Sequence, residues 1–349
     1  MKPITHFTRY AHAAGLLVKR TDRTVLIALT VAVLSFATLV AWFFSGGNPI
    51  EVTNNEPGGT GLPTTTCDES DRRPYAIMLA SDPQARPLSG IGTADLVFEM
   101  PVTPNGITRM MAVYRCNLPD EIGSIRSARL DFLDLVERID AIYVHWGGER
   151  DALAHLEAGR LDNINALIYD GSVFYRKQDV PPPHNGFTSA ERLQKKADEL
   201  RYPDTTDIIW WSERDKPPRR SLTNTTNTLS LTYGSSHIRW TYDETSNSWL
   251  RERDGIPETD ARTGEVVRAG AVLLIKSEET LLRDDYLSVR ATGSGRGALY
   301  QDGIRQEIRW EGNGIAPLRL TDPTSGTVIG IAPGPVWVQF VTESVSVSL

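Results

Sequence analysis

The sequence predicts an α/β domain followed by a mainly β domain, both preceded by one transmembrane helix. Three observations carry that prediction. Residues Thr24 to Ile50 hold no charged side chain. From Arg73 to about Leu200, short β-like runs alternate with helically spaced ones. Beyond residue 228 nearly all periodicity is short and alternating, the pattern of half-buried strands.

The apolar part of the uncharged run, Thr24 to Phe44, has about 21 residues, which at 1.5 Å each span roughly 30 Å, the thickness of a bilayer core. Lys2, Arg9, Lys19, Arg20 and Arg23 precede it against one acid, Asp22, and the first charges after it are Glu51 and Glu56. That asymmetry predicts a cytoplasmic tail at 1–23 and an extracytoplasmic remainder. Trp42, Phe43 and Phe44 fall where an interfacial aromatic belt belongs. A cleaved signal peptide has a shorter apolar region and a small-residue cleavage site, so an uncleaved anchor is the better reading.

Residues 45–72, rich in Gly, Pro and Thr, read as a flexible linker. In the α/β domain, 73–212, strands are predicted at Tyr75 to Leu79, Leu96 to Met100, Thr108 to Tyr114 and Ala141 to His145. Helices are predicted at Arg129 to Ile139, Arg150 to Ala158 and Ala190 to Leu200. A polar stretch from Ser212 to Asn227 marks the domain boundary. In 228–349, strands are predicted at Ile238 to Tyr242, Trp249 to Arg253, Ala271 to Lys276, Leu287 to Ala291, Ile304 to Trp310 and Val336 to Val341, forming a small barrel or sandwich. Asp302-Gly303 is a hairpin signal, and Gly293 to Gly297 is expected to form a bend or bulge.

Of the 37 basic and 44 acidic side chains, 32 and 43 lie beyond residue 50, a net charge of −11 for the extracytoplasmic part. Long-range attraction to nucleic acid is therefore excluded as a partner choice, and an anionic ligand needs a local cationic cluster. The two cysteines, Cys67 and Cys116, lie on the oxidising side of the membrane. A disulfide between them, which chain entropy alone would make worth roughly 4 kcal/mol, is the first expectation; two free thiols are the alternative. No cysteine follows the apolar run in a lipidation context, so the anchor is expected to be protein.

Ligand chemistry concentrates in the first domain. Arg126 and Arg129 lie three apart at the start of a predicted helix, where exposed N–H groups favour an anion and two guanidinium groups add bidentate donors. The plainer alternative pairs them with Asp131, Asp134 or Glu99. His145 ends a predicted strand, and His184 sits in a rigid Pro181 to Gly186 loop beside Asn185. With Glu99, Asp95 or Asp170 as partners, either histidine could serve acid–base chemistry, or simply hydrogen-bond structurally. No metal-binding spacing, hydrolase elbow or cofactor motif occurs, so no metal and no cofactor is expected. Gly90 to Asp95 precedes a strand and lacks the lysine of a phosphate loop, so it reads as a turn.

Six blocks occur in order: Arg73 to Met78, Ala94 to Glu99, Gly106 to Val113, Ile122 to Arg129, Asp140 to Gly148, and Pro183-His184-Asn185. Together they resemble the YerB-like lipoproteins, a bacterial extracytoplasmic family whose domain has no assigned function. A weaker similarity to that family's C-terminal domain continues through Ala271 to Lys276, Gly293 to Gly303 and Val336 to Val341. The resemblance implies an envelope protein with a two-domain ectodomain and implies no reaction. Its blocks coincide with the polar positions selected above, so a cleft built from Arg109, Arg126, Arg129, His145 and His184, with Glu99, is expected. Three functions then compete: binding of an anionic or polar cell-wall ligand by Arg109, Arg126, Arg129 and Asn185; cleavage or transfer of a wall polymer with Glu99, His145 and His184 as acid–base groups; and non-catalytic scaffolding of envelope proteins.

Overall fold

Strands Tyr75–Ala80 (β1), Leu96–Pro101 (β2) and Thr108–Tyr114 (β3) are buried along their whole length, which requires cover on both faces. The structure, a computed structural model, describes residues 71–210, 226–283, 285–314 and 317–349. The expected cytoplasmic tail, the expected span Thr24 to Phe44, Cys67 and all but the end of the expected linker lie outside these residues. Among the described residues no helix is long and apolar enough to cross a membrane.

β3 lies between β1 and β2 in antiparallel register, with Ala80 opposite Arg109 and Met100 opposite Arg109 on the other side. Strand Ile142–His145 then runs parallel to β1, pairing Tyr75 with Ile142. β2 is joined on its free side by Val336–Val341, in parallel, with Glu99 opposite Gln339. Ala271–Lys276, Gly293–Gln301, Ile304–Gly312 and Arg319–Thr321 continue outward from there, so one sheet has ten strands drawn from both halves of the chain. The expected separate barrel or sandwich is corrected accordingly. Its predicted strands exist, but three of them, Ala271–Lys276, Ile304–Gly312 and Val336–Val341, join Gly293–Gln301 and Arg319–Thr321 in extending the sheet of the first half, and the fully buried strand Val336–Val341 finds backbone partners on both edges.

A second, six-stranded sheet contains Thr228–Tyr233, Ser236–Asp243, Ser248–Arg253 and Val345–Ser348. It covers one face of the large sheet, where Ile77, Val97, Met110, Trp240, Trp249 and Trp337 share a core. The other face, with Met78, Phe98, Met111 and Tyr143, is covered by helix Leu130–Arg138 (α1) and helix Arg150–Glu157 (α2). Helix Ala190–Leu200 begins at Ser189, whose hydroxyl accepts from the Arg192 N–H. The Asp302-Gly303 turn carries both residues at positive φ, 54° and 69°, as a two-residue hairpin requires. Gly293 to Gly297 lies inside a strand and not at a bend: a Cβ on Gly297 would stand 2.1 Å from the Leu274 carbonyl oxygen, so the glycine permits close strand approach.

Candidate functional site

β1 and strand Ile142–His145 run parallel, so their carboxyl ends meet at one edge of the sheet. The segment after Gly123 is fastened across that edge. Arg126 N–H donates to the Met78 carbonyl at 2.8 Å, Trp146 N–H donates to the Arg126 carbonyl at 2.9 Å, and Ala128 N–H donates to the Gly147 carbonyl at 2.9 Å. Arg126 and Arg129 are thereby held at the carboxyl ends of parallel strands, the usual ligand position in α/β sheets. Arg109, the second residue of β3, pairs with Ala80, the last residue of β1. The loop carrying His184 closes over them, and the Pro183 carbonyl accepts from Arg126 Nη1 at 3.2 Å.

These cations are poorly compensated. Arg109 is buried, and burial together with the charge of Arg126 lowers its pKa to about 10, against the opposing pull of Asp82. Burial also lowers Arg126, with Arg129 adding to the effect. Among the described residues two carboxylates pair with them: Arg109 Nη1 donates to Asp82 at 3.3 Å and Arg129 Nη1 lies 3.6 Å from Glu149, and the Arg129 guanidinium also stacks over the Tyr286 ring at 4.4 Å. Charge-assisted pairs normally close to about 2.7–2.9 Å. The Nε groups of Arg109, Arg126 and Arg129, His184 Nδ1 and Ser124 Oγ are buried and have no hydrogen-bond partner among the described residues. Burial first, and then Arg126, lowers the pKa of His184, which keeps the ring neutral at pH 7. The expected alternative partners do not serve: Asp131 accepts instead from Ser288 Oγ and the Val289 N–H.

Glu99 belongs to a different network. It is fully buried and accepts from Thr108 Oγ1 and Arg253 Nη2, both at 2.6 Å, and from Arg251 Nη2 at 2.7 Å, Gln339 Nε2 at 3.0 Å and Trp337 Nε1 at 3.2 Å. Glu258 pairs with the Nε groups of the same two arginines. Burial alone would raise Glu99, but Arg251 and Arg253 overcome it and hold the carboxyl at about 2. Arg251 is also stacked over the rings of Trp337 and Trp240, at 4.1 Å and 4.9 Å. Glu99 is thus an ionised structural partner, without the free lone pairs of a general base. Sequence reasoning did not select Arg251, Arg253 and Glu258. Their signal is the alternation Trp249, Arg251, Arg253, which places all three on the inward face of one strand.

His145 is likewise occupied. Its Nδ1 lies 2.7 Å from the Gly147 carbonyl and its Nε2 3.2 Å from Asn163 Oδ1, its ring stacks on Tyr143, and burial lowers its pKa. Asn185 is buried and accepts from Arg176 Nη1 at 3.2 Å. Cys116 is disulfide-bonded, and Cys67 lies outside the described residues. Of the expected cleft, the structure therefore brings together Arg109, Arg126, Arg129 and His184, with Asp82 added; Glu99 and His145 hold other elements together. A cavity of about 390 Å³ opens elsewhere, beside Pro83, Pro257 and Trp337, with the buried Arg253 and the partly exposed Glu258 among its lining. Among the described residues no cluster of His, Cys, Asp or Glu could hold a metal ion.

Two family descriptions match the chain in order. The N-terminal domain of "Protein of unknown function (DUF3048)" matches residues 59–203, and its C-terminal domain matches residues 229–338. A relative from Bacillus subtilis (strain 168), "Putative lipoprotein YerB", is 30% identical over 293 residues, covering 81% of this chain and 85% of the relative. The crystal structure of the Bacillus subtilis YerB protein superposes with a TM-score of 0.72 at 28% identity, over 80% of this chain and 94% of that one.

Proposed function

Because the chain belongs to the DUF3048 family of unknown function and carries its N- and C-terminal domains in order, we propose that it is a membrane-associated extracytoplasmic protein that binds an anionic ligand of the cell wall at Arg109, Arg126, Arg129 and His184. The observation that carries this reading is a contrast between two arginine clusters. Arg251 and Arg253 are closely paired with carboxylates at their Nε and Nη2 groups. Arg109 and Arg129 meet one carboxylate each, at 3.3 and 3.6 Å, Arg126 meets the Pro183 carbonyl, and all three keep a buried Nε without a partner, whereas Arg251 leaves Nη1 alone unpaired. Burying donors without partners costs about 1–3 kcal/mol each, more when charged, and an incoming anion recovers that cost. Placement outside the cytoplasm rests on the basic residues before the uncharged Thr24 to Ile50 run, and on the name of the relative, which calls that protein a lipoprotein. A tether through Thr24 to Phe44 would do the work of a lipid anchor. The hydrolase alternative is weaker, since acid–base duty would fall to His184 alone.

The test is thermal unfolding of the purified full-length chain with soluble cell-wall fragments. A ligand at 100 times its Kd adds about 2.7 kcal/mol, so the midpoint should rise in the wild type and not in the Arg126→Ala/Arg129→Ala variant. An equal rise in both proteins would remove the arginines from the site.

A further inference from the structure

The geometry points to a second binding site, for an uncharged aromatic small molecule, in the cavity of about 390 Å³ at the seam between the two family domains. It shares no residue with the anion site and stands independently of it. Leu88 and Ile91 from the first domain and Val267 and Trp337 from the second are its buried members. Pro83, Pro87, Ile256 and Pro257 are exposed and so edge its mouth. Three contacts hold the two walls together: Ala261 N–H donates to the Leu88 carbonyl at 2.8 Å, Gly92 N–H donates to Asp260 Oδ2 at 2.8 Å, and Arg86 Nη2 meets Asp254 at 3.1 Å. The cavity is thus formed before any ligand arrives, and its volume falls within the range of small-molecule sites, about 300–1,000 Å³.

Charge argues against an ionic ligand. Four charged side chains line the cavity, and each already meets its opposite: Arg86 pairs with Asp254, and Arg253 pairs with Glu258 at 3.2 Å and with Glu99 at 2.6 Å. The other Glu258 oxygen is taken by Arg251 Nε. An entering ion would shed its water and gain no counter-charge. A peptide strand fares no better, because the walls offer little main chain for a ladder. Pro83, Pro87 and Pro257 have no N–H to give. Glu258 N–H donates to the Arg251 carbonyl at 3.0 Å, and the Glu258 carbonyl accepts from Val267 N–H at 2.8 Å. What remains is apolar surface built largely from rigid rings, the three prolines and the Trp337 indole. Such walls cannot close around a flexible chain, whereas a flat ring fills them and has little conformational freedom to lose. Arg86 adds a planar cation whose only side-chain partner among the described residues is Asp254. Arginines of this chain lie repeatedly over aromatic faces, Arg176 over Trp146 at 4.3 Å and Arg129 over Tyr286 at 4.4 Å. A guanidinium is attracted to the face of an aromatic ring and gains nothing comparable from a saturated one.

The experiment is calorimetric titration of the full-length chain with four probes: naphthylmethanol, its saturated counterpart decahydronaphthylmethanol, the anion naphthoate, and a capped Ala-Trp-Ala tripeptide. The expected result is that naphthylmethanol binds about tenfold more tightly than each of the others, the scale on which a desolvated cation–π contact acts. Arg86→Gln removes the planar cation and should bring the two alcohols to within about threefold of each other. Ile256→Ser, at an exposed position, removes apolar surface from the mouth and should weaken both alcohols about threefold. Equal or tighter binding of the saturated alcohol to the wild type would overturn the aromatic assignment, of naphthoate the uncharged one, and of the tripeptide the small-molecule one. Absence of binding by all four probes, or binding that neither substitution changes, would overturn the site itself, and the anion site would be untouched by that result.

Discussion

Glu99 accepts five hydrogen bonds at zero exposure, two of them from arginines whose other carboxylate partner among the described residues is Glu258. Removing its charge leaves Arg251 and Arg253 sharing Glu258 alone, and breaking a buried pair in this way costs about 3–5 kcal/mol. Glu99→Gln should therefore lower the stability measured by urea unfolding by that amount at pH 7. The pH dependence follows from the sign of the shift. The folded carboxyl titrates at about 2, below its ordinary value of 4.5. Its contribution is complete above about 4.5, where the unfolded chain is also ionised, and is lost as pH falls through about 2. The stability gap between wild type and Glu99→Gln should close over that window, and a gap unchanged at pH 2 would show that charge is not its origin. The sequence offered Glu99 as an acid–base candidate inside the predicted strand Leu96 to Met100, but its arginine partners lie about 150 positions away. Arg126 and Arg129 were legible as a neighbouring pair of cations for a local reason, their spacing before a helix. For His145 both readings stayed open, because a strand-end histidine looks the same in sequence whether its ring is free or bonded.

At the scale of elements, α1 shows how one carboxylate serves two neighbours. Its N-terminal flanking residue is Arg129, which provides no side-chain cap. Glu149, immediately before α2, supplies the acceptor instead: its Oε1 takes the Leu130 N–H at 2.7 Å while Oε2 faces Arg129 at 3.6 Å. Glu149→Gln keeps an acceptor but loses the charge at the helix N-terminus, at a cost of about 0.3–1 kcal/mol. If the proposed site binds an anion, the same substitution releases Arg129 for it. It should therefore slightly lower the unfolding midpoint and tighten anion binding, a pairing of opposite effects that calorimetry and thermal melts can check together. Weaker binding in Glu149→Gln would mean that the carboxylate positions Arg129 more than it competes for it. The three longer helices were legible because Leu133, Val136 and Leu193, with their neighbours, repeat at helical spacing, and the Asp302-Gly303 hairpin because its turn chemistry is local. Short strands such as Asn163–Asn165 and Gly186–Thr188 were not, since three residues are too few to establish a period.

For the whole molecule, the decisive pairing is between β2 and Val336–Val341, which lie side by side although they come from opposite ends of the described chain. A parallel neighbour more than 200 positions away leaves no trace in local periodicity, so the sequence showed two successive domains and could not show their shared sheet. The two family domains are joined again at the β2–β3 turn, where a Cβ on Gly106, at φ 93°, would stand 1.8 Å from the Tyr233 carbonyl oxygen. The Glu99 network is a third join, because its acceptor comes from the first domain and its arginines from the second. Residues 59–203 expressed alone would expose the apolar edge of β2 and leave Glu99 buried without its cations, two features that favour aggregation. The isolated segment should therefore be insoluble or unfolded, whereas co-expression with residues 204–349 should restore a soluble complex. The intact chain should unfold in one cooperative transition by fluorescence and circular dichroism alike, because neither half retains its core when the other melts. Two separated transitions, or a stable 59–203 fragment, would mean that the shared sheet contributes little to stability and that each family domain folds on its own core.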